Sequence, residues 1–273
     1  MSTCYGAGRE RPGRYQWIAV LLGVVYLLLP GTVAGQAPRS ARPPDALHQL
    51  NDSIEALVQR VSPSVVQILV TGYGSAEVGN RNQTNDVIGR RQAVGSGVIV
   101  DPEGYIVTNA HVVSGTRSHR LQTVSGDELT ATVVYFDPGR DFALLYSPDL
   151  TSAGLGFGPA SRGTEAAVIG YPGGGQETIE PAVVDGAVEA KGRDIYSTNP
   201  VTRQVYVIEG KVRPGNSGGP LVDLQGKVLG IVFATSASSP DQAYALTDDE
   251  IASDLNDVRS RHTIDTSQYR CAA

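Results

Sequence analysis

Cysteine is almost missing from this sequence, and so is any excess of positive charge. Cys4 and Cys271 are the only two cysteines in 273 residues, and they stand near opposite ends of the chain. An internal disulfide framework is therefore excluded. Lys and Arg total 22 against 28 Asp and Glu, a formal charge of -6 with no basic stripe, which argues against a nucleic-acid partner. The glycine-rich run Gly170-Tyr171-Pro172-Gly173-Gly174-Gly175 lacks the Gly-Lys-Ser/Thr that a phosphate loop requires. It reads as a strand ending in a tight turn, and no nucleotide or other cofactor is expected.

Long apolar stretches are equally scarce. Arg9, Arg11 and Arg14 precede an apolar core over residues 17–29, and small residues follow to Ala37. This is the pattern of an export signal. Thirteen residues of helix reach only about 20 Å, short of a bilayer core of about 30 Å. Cleavage after Ala37 is expected, with an uncleaved membrane anchor as the alternative and the only route to a membrane. No Arg-Arg pair marks this segment for twin-arginine export, and no Cys follows it for lipidation. The remainder is expected to work in the periplasm or as a secreted protein.

What the chain does have is one hydroxyl in an unusual setting. In Arg213-Pro214-Gly215-Asn216-Ser217-Gly218-Gly219-Pro220 a serine stands among glycines, where no side chain blocks an approaching carbonyl and successive N–H groups can share one concavity. Ser217 is the candidate nucleophile, with the N–H groups of Gly215 and Ser217 as the candidate oxyanion hole. A serine needs a base, and the base needs an orienting carboxylate. Of the four histidines, His111 ends the β-branched run Tyr105-Ile106-Val107-Thr108-Asn109-Ala110-His111, whereas His48, His119 and His262 read as solvated. Asp141 is followed at once by Phe142-Ala143-Leu144-Leu145, so burial would make it the third member. Its competitor, Asp137, opens an Asp-Pro-Gly turn and would satisfy its own backbone. The order His, Asp, Ser is that of the chymotrypsin-type arrangement.

The segments Gly95-Ser96-Gly97-Val98-Ile99-Val100, Thr108-Asn109-Ala110-His111-Val112-Val113, Asp141-Phe142-Ala143-Leu144-Leu145 and Gly215-Asn216-Ser217-Gly218-Gly219-Pro220 together resemble the trypsin-like serine peptidases, most of all the bacterial HtrA/Deg type. That resemblance implies an all-β fold, two six-stranded antiparallel β-barrels with the triad between them, and hydrolysis of peptide bonds in protein or peptide substrates without a metal. At this length no appended PDZ module is expected. A second resemblance, through Gly170-Tyr171-Pro172-Gly173-Gly174-Gly175, Val205-Tyr206-Val207-Ile208, Val228-Leu229-Gly230-Ile231-Val232-Phe233 and Cys271, is to the acid-resistance periplasmic serine proteases. In many trypsin-like enzymes the position of Phe233 holds a Ser or Thr that steadies the triad Asp, so that bond is expected to be absent or replaced.

The expected organisation is an export segment over 1–37, a linker and amphipathic helix over 38–61, a first barrel over 62–156, a second over 157–247, and a C-terminal helix and tail over 248–273. Residues 72–91 read as a long polar loop. Thr247 and Glu250 form a candidate capping box, with Ile251, Leu255 and Val258 facing the barrel. Lys211, Phe233, Ala234, Thr235, Ser236 and Ala243 are expected around the S1 pocket; with no Asp there, a small or medium apolar P1 residue is anticipated rather than Arg or Lys. Envelope protein quality control or stress-linked processing is the expected role. The competing reading is a non-catalytic peptide-binding module on the same scaffold.

Overall fold

The computed structural model describes residues 43–76, 87–255 and 264–268. The expected export segment, Val258 and Cys271 fall outside them. Twelve strands, β1 (Val65–Ala76), β2 (Val87–Asp101), β3 (Tyr105–Thr108), β4 (Thr116–Gln122), β5 (Glu128–Asp137), β6 (Phe142–Tyr146), β7 (Glu165–Gly170), β8 (Thr178–Arg193), β9 (Pro200–Gly210), β10 (Pro220–Asp223), β11 (Val228–Thr235) and β12 (Gln242–Thr247), close into two six-stranded antiparallel barrels. The first runs β1-β2-β3-β6-β5-β4 and the second β10-β11-β12-β9-β8-β7. The double barrel implied by the sequence is the fold.

Strand alternation explains how two barrels become one body. Successive side chains of a strand point to opposite faces. In β3 and β6, Ile106, Ala143 and Leu145 fill the first barrel, while Tyr105, Val107, Phe142 and Leu144 point outward into a seam shared with Ile169, Val205, Val222, Ile231 and Leu246 of the second. Both faces of these strands are buried. That is why they read as unbroken apolar runs rather than as alternating ones. The second barrel has its own interior cluster, including Val168, Ile208, Leu221, Leu229 and Val232.

Among the described residues three α-helices accompany the barrels: α1 (Pro43–Val61), the single turn α2 (Ala110–Val113) and α3 (Asp248–Leu255). The end of α1 docks through Leu57 and Val61, both in the seam cluster, whereas Ile54 on the face expected to be apolar is exposed. Ile251 seats α3 in the same seam. Thr247 Oγ1 accepts the N–H of Glu250 at 3.2 Å, so half of the capping box forms. Its other half does not: Glu250 Oε2 instead accepts the N–H of Gln204 on β9 at 3.0 Å.

Two other expectations are corrected. The polar segment 72–91 is not all loop, because β1 and β2 pair in register from Gly72↔Arg91 to Ala76↔Val87. An antiparallel ladder is made by backbone groups and needs no hydrophobic period. His111 does not end a strand: β3 stops at Thr108 and His111 lies in α2, directly after it.

Candidate active site

Turn 137–141 connects β5 to β6 and carries the first of the expected functional groups. Asp137 Oδ1 accepts the N–H groups of Gly139 and Arg140 at 2.8 and 3.0 Å, so this carboxylate organises its own turn. Asp141 is buried, at 5% exposure. Its Oδ2 lies 2.8 Å from His111 Nδ1, and its Oδ1 accepts the backbone N–H of His111 at 2.9 Å. One carboxylate thus fixes both the ring and the main chain of the histidine. Its partner Nδ1 carries the proton in this contact, which leaves Nε2 with the lone pair. Asn109, immediately before α2, donates from Nδ2 to the Asp141 carbonyl at 3.0 Å, closing the link between the two elements.

The Ser217 turn belongs to the second barrel. Within it the N–H of Asn216 reaches Arg213 O at 3.0 Å, that of Gly219 reaches Asn216 O at 2.9 Å, and that of Gly218 reaches Val232 O at 2.8 Å. Among the described residues, the intervening N–H groups of Gly215 and Ser217 have no protein acceptor. Gly215 has φ of +102°, a conformation L side chains rarely adopt, and a Cβ there would run into the carbonyl oxygen of Tyr171. A chain bend of this kind lets two alternate N–H groups face one small space.

The first barrel supplies the support for that turn. Ser96 of β2 is fully buried; its hydroxyl accepts the N–H of Tyr171 at 2.9 Å and donates to Gly215 O at 2.7 Å. Its backbone N–H donates to Ser217 O at 2.8 Å, and its carbonyl accepts Thr108 Oγ1–H at 2.8 Å. A Cβ on the neighbouring Gly95 would lie 2.6 Å from Val112 Cγ1 and 3.3 Å from Ser217 O. The helix of His111 and the turn of Ser217 therefore pack on one side-chain-free position. Ser96, Asn109 and Tyr171 were not recognised as supports in the sequence, although a serine between two strand glycines was a signal that could have found Ser96.

The S1 candidates are not gathered on one face. Ala243 lies fully buried inside the second barrel with Val232. Phe233 sits where the β11–β12 register shifts, between Val232 and Ala234, and its ring packs on Tyr244 at 6.4 Å and beneath the Arg203 guanidinium at 6.0 Å. It lines a 480 Å³ groove with Val188, Val205, Val207, Gln242 and Tyr244, without Lys211, Ala234, Thr235, Ser236 or Ala243. Lys211 is exposed.

Two titratable groups of the barrels are shifted by their surroundings. His119 is 7% exposed inside the first barrel, not solvated as the surrounding Arg and Ser suggested, and bonds Thr116 Oγ1 at 2.8 Å. Burial holds its imidazole down to about 4, against a smaller opposing effect of the Val113 carbonyl. Burial pushes the Glu177 carboxyl up, partly countered by the Ser62 hydroxyl 2.5 Å away. Among the described residues no His, Cys, Asp and Glu group has the arrangement of a metal site.

The trypsin-like peptidase domain model matches residues 95–231. The chain belongs to the trypsin-like peptidase family. This peptidase chain is 41% identical over 176 residues to the serine protease Rv3671c of Mycobacterium tuberculosis, covering 63% of its own length and 44% of the relative's. It is 34% identical over 232 residues to the mitochondrial serine protease HTRA2 of Bos taurus, covering 79% and 47%. It therefore spans about half the length of the curated relatives it matches. A crystal structure of the Rv3671c protease in its active form superposes with a TM-score of 0.69 at 34% identity, covering 88% of this chain and 98% of that one. The HtrA-type protease AlgW with a decapeptide shares the fold, with a TM-score of 0.61 at 24% identity.

Proposed function

We propose that the chain is an exported serine endopeptidase in which Ser217 attacks the scissile carbonyl. His111 Nε2 takes the serine proton and later returns it to the leaving amine, while Asp141 holds the Nδ1–H tautomer. The N–H groups of Gly215 and Ser217 receive the developing oxyanion, and water hydrolyses the acyl-enzyme. The observation that carries this reading is the doubly bonded Asp141–His111 pair, packed through Gly95 against a turn whose two outward N–H groups have no protein acceptor among the described residues. An idle binding scaffold has no use for that arrangement.

Protein or peptide chains are the substrate class, as the peptide-bound state of a fold relative suggests. Processing or quality control of proteins outside the cytoplasm fits the basic and apolar pattern of residues 1–37. The test is mass spectrometry of peptides released from a complex proteome by the wild-type protein and by Ser217→Ala. The variant is expected to lose on the order of a million-fold in kcat while remaining folded. Peptide release by Ser217→Ala at the wild-type rate would end the proposal. The same data give the P1 preference, expected to be small or medium apolar.

A further inference from the structure

The backbone that presents Asp141 is strained. Asp141 has φ of +60°, one of two non-glycine residues with positive φ among those described. Such a conformation persists only where its surroundings over-determine it. The local bonds of Asp137 shape the middle of turn 137–141 but come from the same turn. From outside, Asn109 of the first barrel holds the Asp141 carbonyl, and the second barrel holds the residues before it. The β8–β9 hairpin reaches across, and the N–H of Ile195 donates to Pro138 O at 3.2 Å. Arg203 on β9 donates from Nε to Gly139 O at 2.9 Å, two residues before the carboxylate.

Arg203 is itself locked on three sides. Its Nη2 donates to Arg193 O at 3.1 Å on the opposite strand of the hairpin, and its guanidinium lies over the Phe233 ring at 6.0 Å. The next residue, Gln204, is pinned through its N–H to Glu250 on α3. A planar guanidinium suits this job because one group makes two bonds in fixed directions while its face rests on an aromatic ring. Phe233 itself offers no hydrogen-bond donor to Asp141. The support that a hydroxyl there would give directly is delivered through the turn's backbone.

We propose that Arg203 is a positioning residue for Asp141: it acts through Gly139 O to hold turn 137–141, and so sets the Asp141–His111 geometry during turnover. The proposal rests on the His111–Asp141–Ser217 reading above. It makes the β8–β9 hairpin part of the catalytic apparatus through the turn that it supports.

The experiment compares wild type, Arg203→Ala and Arg203→Lys in steady-state cleavage of a denatured protein substrate. Each is normalised to the number of sites titrated by a fluorophosphonate, at a temperature well below all three midpoints of unfolding. Misplaced catalytic groups cost kcat steeply, so Arg203→Ala is expected to lower kcat per titrated site by about ten- to a hundredfold with KM within about twofold. Arg203→Lys retains one donor and the charge, and is expected to recover part of that loss. A merely structural role would reduce the titrated fraction and leave kcat per site intact, which overturns the proposal, as does a loss carried by KM. If Arg203→Ala does not fold, Arg203→Lys decides: a lowered kcat at unchanged KM supports the proposal, and wild-type kcat refutes it. Failure of the wild type to label at Ser217 would instead refute the triad reading.

Discussion

The turns that carry Asp141 and Ser217 are held in opposite ways. The Ser217 turn is built of glycines, so its bend needs no strain at a side-chain-bearing residue, and one fully buried residue of the other barrel, Ser96, makes two bonds to it and a third to Tyr171 beside it. The Asp141 turn places a non-glycine residue in the left-handed region; Arg203 of β9 and the N–H of Ile195 in the hairpin turn donate to it, and its own Arg140 donates to the Glu250 carbonyl on α3. Each barrel thus steadies the turn carried by its partner. The seam is both the main hydrophobic contact and the place where geometry is set.

This contrast is broken most severely at Gly215. A Cβ there meets the Tyr171 carbonyl, so Gly215→Ala should rotate the peptide and remove one oxyanion donor, lowering kcat by about 10²- to 10³-fold. Single-turnover acylation of a small ester would read the loss directly, and a wild-type acylation rate would show that the Gly215 N–H is not used. The next largest effect is expected at Ser96. Ser96→Ala leaves the Tyr171 N–H and Gly215 O without their buried partner, costing about 1–3 kcal/mol in urea unfolding and slowing acylation as well. If stability falls and acylation does not, the cross-seam bonds hold the fold but not the site.

The mildest test concerns the side of the seam that carries His111. His119 is neutral in the folded protein because burial depresses it from 6.5 to about 4. Between those values the unfolded chain binds more protons than the folded one, so stability is complete above about pH 6.5 and declines as pH falls toward about 4. The full shift corresponds to at most about 3 kcal/mol. His119→Gln should therefore flatten the acid side of the stability–pH curve of the intact protein, read as urea midpoints between about pH 7 and about pH 4. Identical curves would mean that His119 titrates normally.

The candidate groups stood out in the sequence because they sit in short motifs whose local backbone is dictated by glycine, proline and asparagine. Ser217 among glycines and Asp141 before Phe142-Ala143-Leu144-Leu145 needed no long-range information. The two barrels were expected from the resemblance those motifs carry to the trypsin-like peptidases. What stayed hidden depends on pairing across distance. Nothing near Arg203 in sequence indicates that it meets Gly139, and the register shift beside Phe233 arises between two strands. His119 was misread because its neighbours Arg117, Ser118 and Arg120 are polar, although the alternation His119, Leu121 was there to be seen. The hairpin turn 194–199 is instead held by local bonds. Burial alone would push the Asp194 carboxyl up, but bonds from Thr198, Asn199 and Tyr196 hold it below the usual carboxylate value, and so tie the turn together.

The most direct test of this account is a crystal structure of the protein inactivated by a fluorophosphonate. Phosphorus is predicted on Ser217 Oγ, with the phosphoryl oxygen within about 3 Å of the N–H groups of both Gly215 and Ser217. An adduct on another residue, or a phosphoryl oxygen turned away from both N–H groups, would contradict it.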